Sequence, residues 1–362
     1  MSNNHKKYCY MEYLRVICVL GVILIHVSGQ KWSELDIGSM RFNTQTMYNL
    51  LGRYSTFIFC MISGALFLNP KKDFPMRIIA EKYTKRILIC FGVWVVLYDI
   101  LYTIMDKGDL EYFVIHLFAI PLHMWYLLMI VGLYLALPVL RQITKDRKIT
   151  LYLIWLLIIF GILFGTLTSL RSLYPDSKNF SFGQTIVDQM ITDISYMNVT
   201  FIPGYLGFFL LGHYIHEYGV GKWHTPLVVS AIPSLLLSGI LTIVLSIAYD
   251  KPVILLMVET SPFLVLAAVG LFEFFKNTES GERKYNPDSK ITKVMCLLGS
   301  YSFGIYLVHY GVMNILDRWF DINVTICTQI ISVPLLVLII FVITLVIVAI
   351  LKKIPFIRAI VT

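Results

Sequence analysis

The stretch RVICVLGVILIH, Arg15–His26, decides how this chain is read. Ten uncharged, mostly apolar residues lie between one arginine and one histidine, which makes a hydrophobic helix with an ionisable group at each end. The two stand eleven positions apart, and eleven steps of 100° return to within about 20° of the starting direction. Their side chains therefore share one stripe, about 16 Å apart along the axis, roughly half the hydrocarbon thickness of a bilayer. An ionisable side chain inside a membrane helix is costly, so it is expected to face protein, water or substrate rather than lipid.

Working outward, the rest of the chain has the composition such a helix requires. Of 362 residues 57% are hydrophobic and 14% charged, with a mean hydropathy of +0.75. That composition fits an all-α polytopic integral membrane bundle and no soluble domain of this size. The net charge of +8 is expected to come from cytoplasmic loops rich in lysine and arginine, with no nucleic-acid partner. Cys9, Cys18, Cys60, Cys90, Cys296 and Cys327 fall mostly in apolar runs without CxxC spacing, so no metal or disulfide role is expected. No small-residue cleavage site follows the first apolar run, and no cleaved leader is expected.

Ten spans are expected, at about 13–30, 48–68, 87–105, 122–140, 149–168, 200–217, 226–248, 253–275, 294–313 and 325–351. Of the 30 lysines and arginines, 21 fall on the N-terminal side of the membrane and 7 on the other, with Arg15 and Arg53 inside spans. The positive-inside rule then places both termini in the cytoplasm. The chain reads as one membrane-embedded domain, 1–362, with no internal repeat and no soluble domain, in which the helices themselves must carry any chemistry. Asn198-Val-Thr200 matches a glycosylation triplet, and Pro203 and Gly204 are expected to break the start of the sixth span.

Orientation gives each polar residue a depth. His26, Arg53, Asp99, His123, Trp125, Glu259 and His309 are expected in an outer layer, and Arg15, Lys82, Lys85 and Arg86 in an inner one. The inner cations suit phosphate, and imidazoles with carboxylates can move protons near neutral pH. A long thin molecule, phosphates at one end and a reactive group at the other, would fit along span one. Blander readings stand beside these. Arg53 with Asp99 or Glu259 could be a structural ion pair, His123 and His309 backbone-bonded core residues, and Trp125 an interfacial aromatic. His213, His216 and His224 read as helix-end or interfacial residues. A secondary transporter or a substrate-binding membrane module could use the same polar cluster.

Several segments together resemble one family. Arg15 and His26 look like the R-x10-H signature of the acyltransferase-3 family, and FCMISGALFL (59–68) is similar to its second span. EKYTKRI (81–87) resembles its basic approach to span three, and HMWYLLMIVGLYLALPVLR (123–141) its fourth span. GYLGFFLLGHYI (204–215) and GSYSFGIYLVH (299–309) resemble later segments, in family order. Two departures are visible: the basic approach is lysine-rich, and Phe57 stands where a proline is common.

The resemblance implies an O-acetyltransferase similar to the stand-alone enzymes that modify cell-surface polysaccharide precursors, in a bacterial plasma membrane. It implies acetyl-CoA as donor, no metal, and a lipid-linked or surface glycan as acceptor. His26 would be catalytic, as general base or as nucleophile, with Arg15 its partner in the signature. Lys82, Lys85 and Arg86 would lie near the CoA phosphates, and Arg53, Asp99, His123, Trp125, Glu259 and His309 would support or contact substrate.

Overall fold

The computed structural model describes residues 8–71, 75–118, 120–171, 204–258, 260–280 and 288–355, together with Leu173, Ile186, Ile191, Tyr285, Asn286, Arg358 and Val361. Regular structure among them is helical. In chain order the helices are α1 (Cys9–Gly29), α2 (Met40–Gly52), α3 (Tyr54–Phe67), α4 (Lys85–Met105), α5 (Leu110–His116) and α6 (Trp125–Ile143). There follow α7 (Arg147–Arg171), α8 (Tyr205–Tyr218), α9 (His224–Tyr249), α10 (Pro262–Ser280), α11 (Lys290–Phe320) and α12 (Gln329–Leu351). Side-chain caps open several of them, among them Asp146, which accepts from the Lys148 and Ile149 N–H groups at the start of α7. Ser39 accepts from the Phe42 N–H, Asp109 from the Tyr112 N–H and Ser289 from the Thr292 N–H.

Eight helical segments among the described residues are long and apolar enough to cross a membrane, and the protein is an all-α polytopic membrane bundle. They correspond to eight of the ten expected spans. The other two form helices that differ from expectation. At the sixth, the described helix is the 14-residue α8, stopped by Gly219 at φ 69°. The eighth was expected from residue 253, but α10 starts only at Pro262. A proline has no N–H to donate and fits the first helical position. Ahead of it, Val253, Leu255 and Leu256 are buried against Leu173, Leu241 and Leu245 in irregular backbone. Glu259, Asn198, Thr200 and Pro203 lie outside the described residues.

The chain divides into two compact units interleaved in sequence. The first comprises Met1–Gln30, Lys72–Val139 and Phe275–Thr362. Its centre is α1, where Leu14, Cys18, Val19, Ile23 and Val27 are fully or almost fully buried. Glu12 lies against Gly299, the Tyr13 hydroxyl is 3.4 Å from that of Thr292, and His26 meets His309 and Tyr310, so α1 and α11 run the same way. α4 follows α11 turn by turn. Tyr98 bonds Leu307 and Gly311, Tyr102 bonds Asn314, and Asp106 bonds Arg318. α12 runs against α11, with Lys352 Nζ 2.6 Å from the Ser300 carbonyl and Val348 against Gly304. These relative directions are the ones expected of spans one, three, nine and ten.

The second unit comprises Lys31–Lys71 and Leu140–Phe274. Its tightest pairing is α3 with α8, where Gly64 faces the backbone of Phe209 and Gly212 the backbone of Met61. A Cβ at either glycine would overlap the opposing backbone, the close approach that small residues allow between membrane helices. Phe57, at the position where a proline is common, stacks on Phe208 at 4.4 Å and is buried. The expected second span is broken once, between α2 and α3 at Arg53.

Candidate functional site

In the first unit His26, His123 and His309 come together from three separate elements. His26 is in the last turn of α1, His123 in the 3-10 turn Leu122–Met124 ahead of α6, and His309 midway along α11. The His26 ring centroid is 5.3 Å from that of His309 and 6.4 Å from that of His123, and the last two are 5.4 Å apart. Tyr310 closes the group, 5.1 Å from His26 and 5.0 Å from His123. Three of the seven residues expected in the outer layer thus form one cluster, ringed by Tyr98, Tyr306 and Tyr310.

Each ring is held by a different device. His309 is fully buried, and its Nδ1 lies 2.6 Å from the Tyr306 carbonyl. A carbonyl only accepts, so Nδ1 carries a proton and Nε2 of the neutral ring is an acceptor. That Nε2 makes no hydrogen bond among the described residues. The core-histidine reading of His309 therefore covers one nitrogen and leaves the other for chemistry. His123 is 2% exposed, with its ring beside the Leu307 backbone. Its backbone carbonyl accepts from the Tyr306 hydroxyl, and its ring lies edge-on to Tyr98 at 4.9 Å. His26 is half-buried, the most accessible of the three.

Tyr98 bridges one turn of α11 at this point. Its hydroxyl donates to the Leu307 carbonyl at 2.7 Å and accepts from the Gly311 N–H at 2.9 Å. Those are the acceptor and donor of one α-helical turn, and His309 and Tyr310 lie within it. A side chain inserted there can bend a helix locally.

The remaining candidates divide. At the other end of α1, Arg15 forms an ion pair with Glu12 at 2.8 Å, and the Glu12 side chain is 5% exposed. Lys82, Lys85 and Arg86 are exposed, the first in a π-helical stretch (Ile79–Thr84) that leads into α4. π-Helical turns recur at functional sites. Asp99 is 3% exposed, and its carboxylate makes no hydrogen bond among the described residues. Trp125 is open to its surroundings, as the interfacial-aromatic reading allows. It is 41% exposed, and its neighbour Tyr126 is the residue that packs on Tyr306, at 6.0 Å. Helical geometry turns adjacent side chains about 100° apart, so only one of the two can face inward. Arg53 belongs to the second unit, its Nε 2.8 Å from Asn49 Oδ1. His213, expected at a helix end or an interface, is fully buried in that unit. Sequence reasoning missed Glu12, Tyr98, Tyr306 and Tyr310. For Glu12 and Tyr306 a signal existed, a spacing of three from Arg15 and from His309.

Among the described residues no group of three metal-ligating side chains is placed to hold an ion. Compared with known protein families, residues 9–353 match the model described as an acyltransferase domain. No curated protein and no solved structure matches the chain.

Proposed function

Because the chain belongs to the acyltransferase-3 family and is a membrane acyltransferase, we propose that it moves an acetyl group from acetyl-CoA to a hydroxyl of an extracytoplasmic glycan or glycolipid. The observation that carries this reading is the meeting of His26 with His123, His309 and Tyr310 at one end of α1. In the transfer, the acceptor oxygen bonds to the acyl carbon and the carbon–sulfur bond breaks. His26 takes the proton of the hydroxyl as general base and returns it to the departing sulfur. A transient acyl-His26 is the other route, in which the ring itself attacks. His309, with its proton fixed at Nδ1 by the Tyr306 carbonyl, supplies an acceptor beside that ring.

Donor binding falls to the exposed cations at the start of α4. Lys82, Lys85 and Arg86 suit the diphosphate and 3′-phosphate of CoA, and the pantetheine arm would run along α1 towards His26. Arg15 brings its own countercharge in Glu12, so it suits orienting the arm better than neutralising phosphate. In this scheme the enzyme sits in a bacterial plasma membrane, takes its donor from the cytoplasm and serves an acceptor on the far side.

The test is incorporation of label from radiolabelled acetyl-CoA into the envelope glycan fraction of membranes with and without the protein. His26→Ala is expected to abolish incorporation at normal membrane abundance. Full incorporation by that variant removes the scheme, and uptake of label without any acyl donor would make the protein a transporter. Replacing Lys82, Lys85 and Arg86 together by alanine should raise the KM for acetyl-CoA about tenfold or more, with kcat little changed.

A further inference from the structure

Around His26 the hydrogen-bond donors can be followed to their acceptors. The Tyr98 hydroxyl donates to the Leu307 carbonyl at 2.7 Å, the Tyr306 hydroxyl to the His123 carbonyl, and His309 Nδ1 to the Tyr306 carbonyl at 2.6 Å. The His123 ring has its backbone partner in the Leu307 carbonyl. Tyr98, Tyr306, His123 and His309 therefore all spend their protons on backbone oxygens. The two imidazoles, neutral and each with its N–H taken, are left with lone pairs and bring no donor to a substrate. Acyl transfer needs one, because negative charge gathers on the carbonyl oxygen as its carbon is attacked.

Tyr310 is the exception in the cluster. Its hydroxyl makes no hydrogen bond among the described residues, and the side chain is half-buried, not sealed. The ring centroid lies 5.1 Å from that of His26 and 5.0 Å from that of His123, stacked on the latter with the planes 26° apart. Groups this close can serve one carbonyl, the base or nucleophile and the oxyanion donor each about 3 Å from the reacting atoms. The residue is also held before substrate arrives. Leu307 and Gly311, on either side of it in α11, both bond the Tyr98 hydroxyl, and His123 packs against its ring. A donor fixed in this way acts most strongly in a dry site, where it need not reorganise as charge develops.

We infer that the Tyr310 hydroxyl donates a hydrogen bond to the acyl carbonyl oxygen during transfer, stabilising the oxyanion that forms while His26 acts on the acceptor. This rests on the proposed role of His26. The balance of the step is unchanged: the acceptor oxygen bonds to carbon, the carbon–sulfur bond breaks, the acceptor proton ends on sulfur, and Tyr310 keeps its own. The same donor serves the route through acyl-His26, in which each of the two attacks on the acyl carbon puts charge on that oxygen.

The experiment compares Tyr310→Phe, and the full chain carrying para-aminophenylalanine in place of Tyr310, with the unaltered full chain in native membranes. Incorporation from radiolabelled acetyl-CoA is followed across donor concentration, each rate normalised to protein present. Phenylalanine keeps the ring and its stack on His123 and removes only the hydroxyl. The aniline restores an N–H at the same place, and it donates a hydrogen bond without giving up its proton. Expected for Tyr310→Phe is a fall in kcat of about 10²-fold or more, with a KM for acetyl-CoA within about twofold. The aniline should recover about tenfold of that loss, which a packing role or protonation of the sulfur by the phenol would not allow. The inference is overturned if Tyr310→Phe keeps kcat within about threefold, if the aniline is no better than phenylalanine, or if the loss is in KM. Should Tyr310→Phe not accumulate, Tyr310→Leu takes its place under the same criteria. Loss of activity in His26→Ala with full activity in Tyr310→Phe sinks this inference alone; full activity in His26→Ala sinks the role of His26 itself.

Discussion

Tyr98 shows how much a single hydroxyl can organise. It bonds the two ends of one turn of α11 and lays its ring against His123, so α4 braces α11 and supplies one wall of the histidine cluster. Tyr98→Phe should lose about 1 kcal/mol of stability, seen as a lower thermal midpoint in detergent, and should slow transfer more than that loss explains. An unchanged rate would mean that α11 keeps its shape without the hydroxyl. A second residue-scale device lies at the far end of the same seam. The Tyr112 hydroxyl, helped by Arg318, holds the Asp106 carboxyl below its ordinary range. A depressed carboxylate stabilises the fold above its unfolded pKa and loses that contribution as pH falls through the folded value. The seam should therefore hold at pH 5 and loosen only below about pH 4; proteolysis near Asp106 that rises already at pH 6 would contradict this. The histidines of the cluster were legible because an imidazole in an apolar run is rare. The tyrosines were not: the chain has 22, and only the packing distinguishes those that touch an imidazole.

At the scale of elements, apolar runs marked the helices and their ends were harder to place. Span eight was misjudged because Val253–Met257 is as hydrophobic as any membrane segment, yet it is buried by its neighbours in irregular form between two prolines. Hydropathy records burial and does not distinguish lipid from protein as the burying medium. The α3–α8 crossing was equally hidden, since Gly64 and Gly212 lie far apart in sequence and neither sits in a repeated small-residue pattern with the other. Gly64→Ala and Gly212→Ala should each cost about 1–3 kcal/mol by overpacking, measured as lost monodispersity and a lower midpoint. Gly132→Ala, which meets open space, should cost nothing. Equal behaviour of all three would remove the close-contact account.

For the whole molecule, the parallel course of α1, α4 and α11, with α12 opposed, agrees with the directions expected from charge. Which end faces the cytoplasm is a prediction of the positive-inside rule. Cys327 is exposed in the connection between α11 and α12, so an impermeant maleimide should label it in intact cells. A cysteine at Lys82 should react only after permeabilisation, and the reverse pattern would invert the topology. The pair Glu12–Arg15 bears on how such a chain is made. A lone arginine in a membrane helix costs about 2.5–3.5 kcal/mol at insertion when central. Here the compensating carboxylate is one turn earlier on the same helix and leaves the ribosome first. α1 can therefore partition into lipid as a locally neutral unit, before the helices that follow it have been synthesised to receive it.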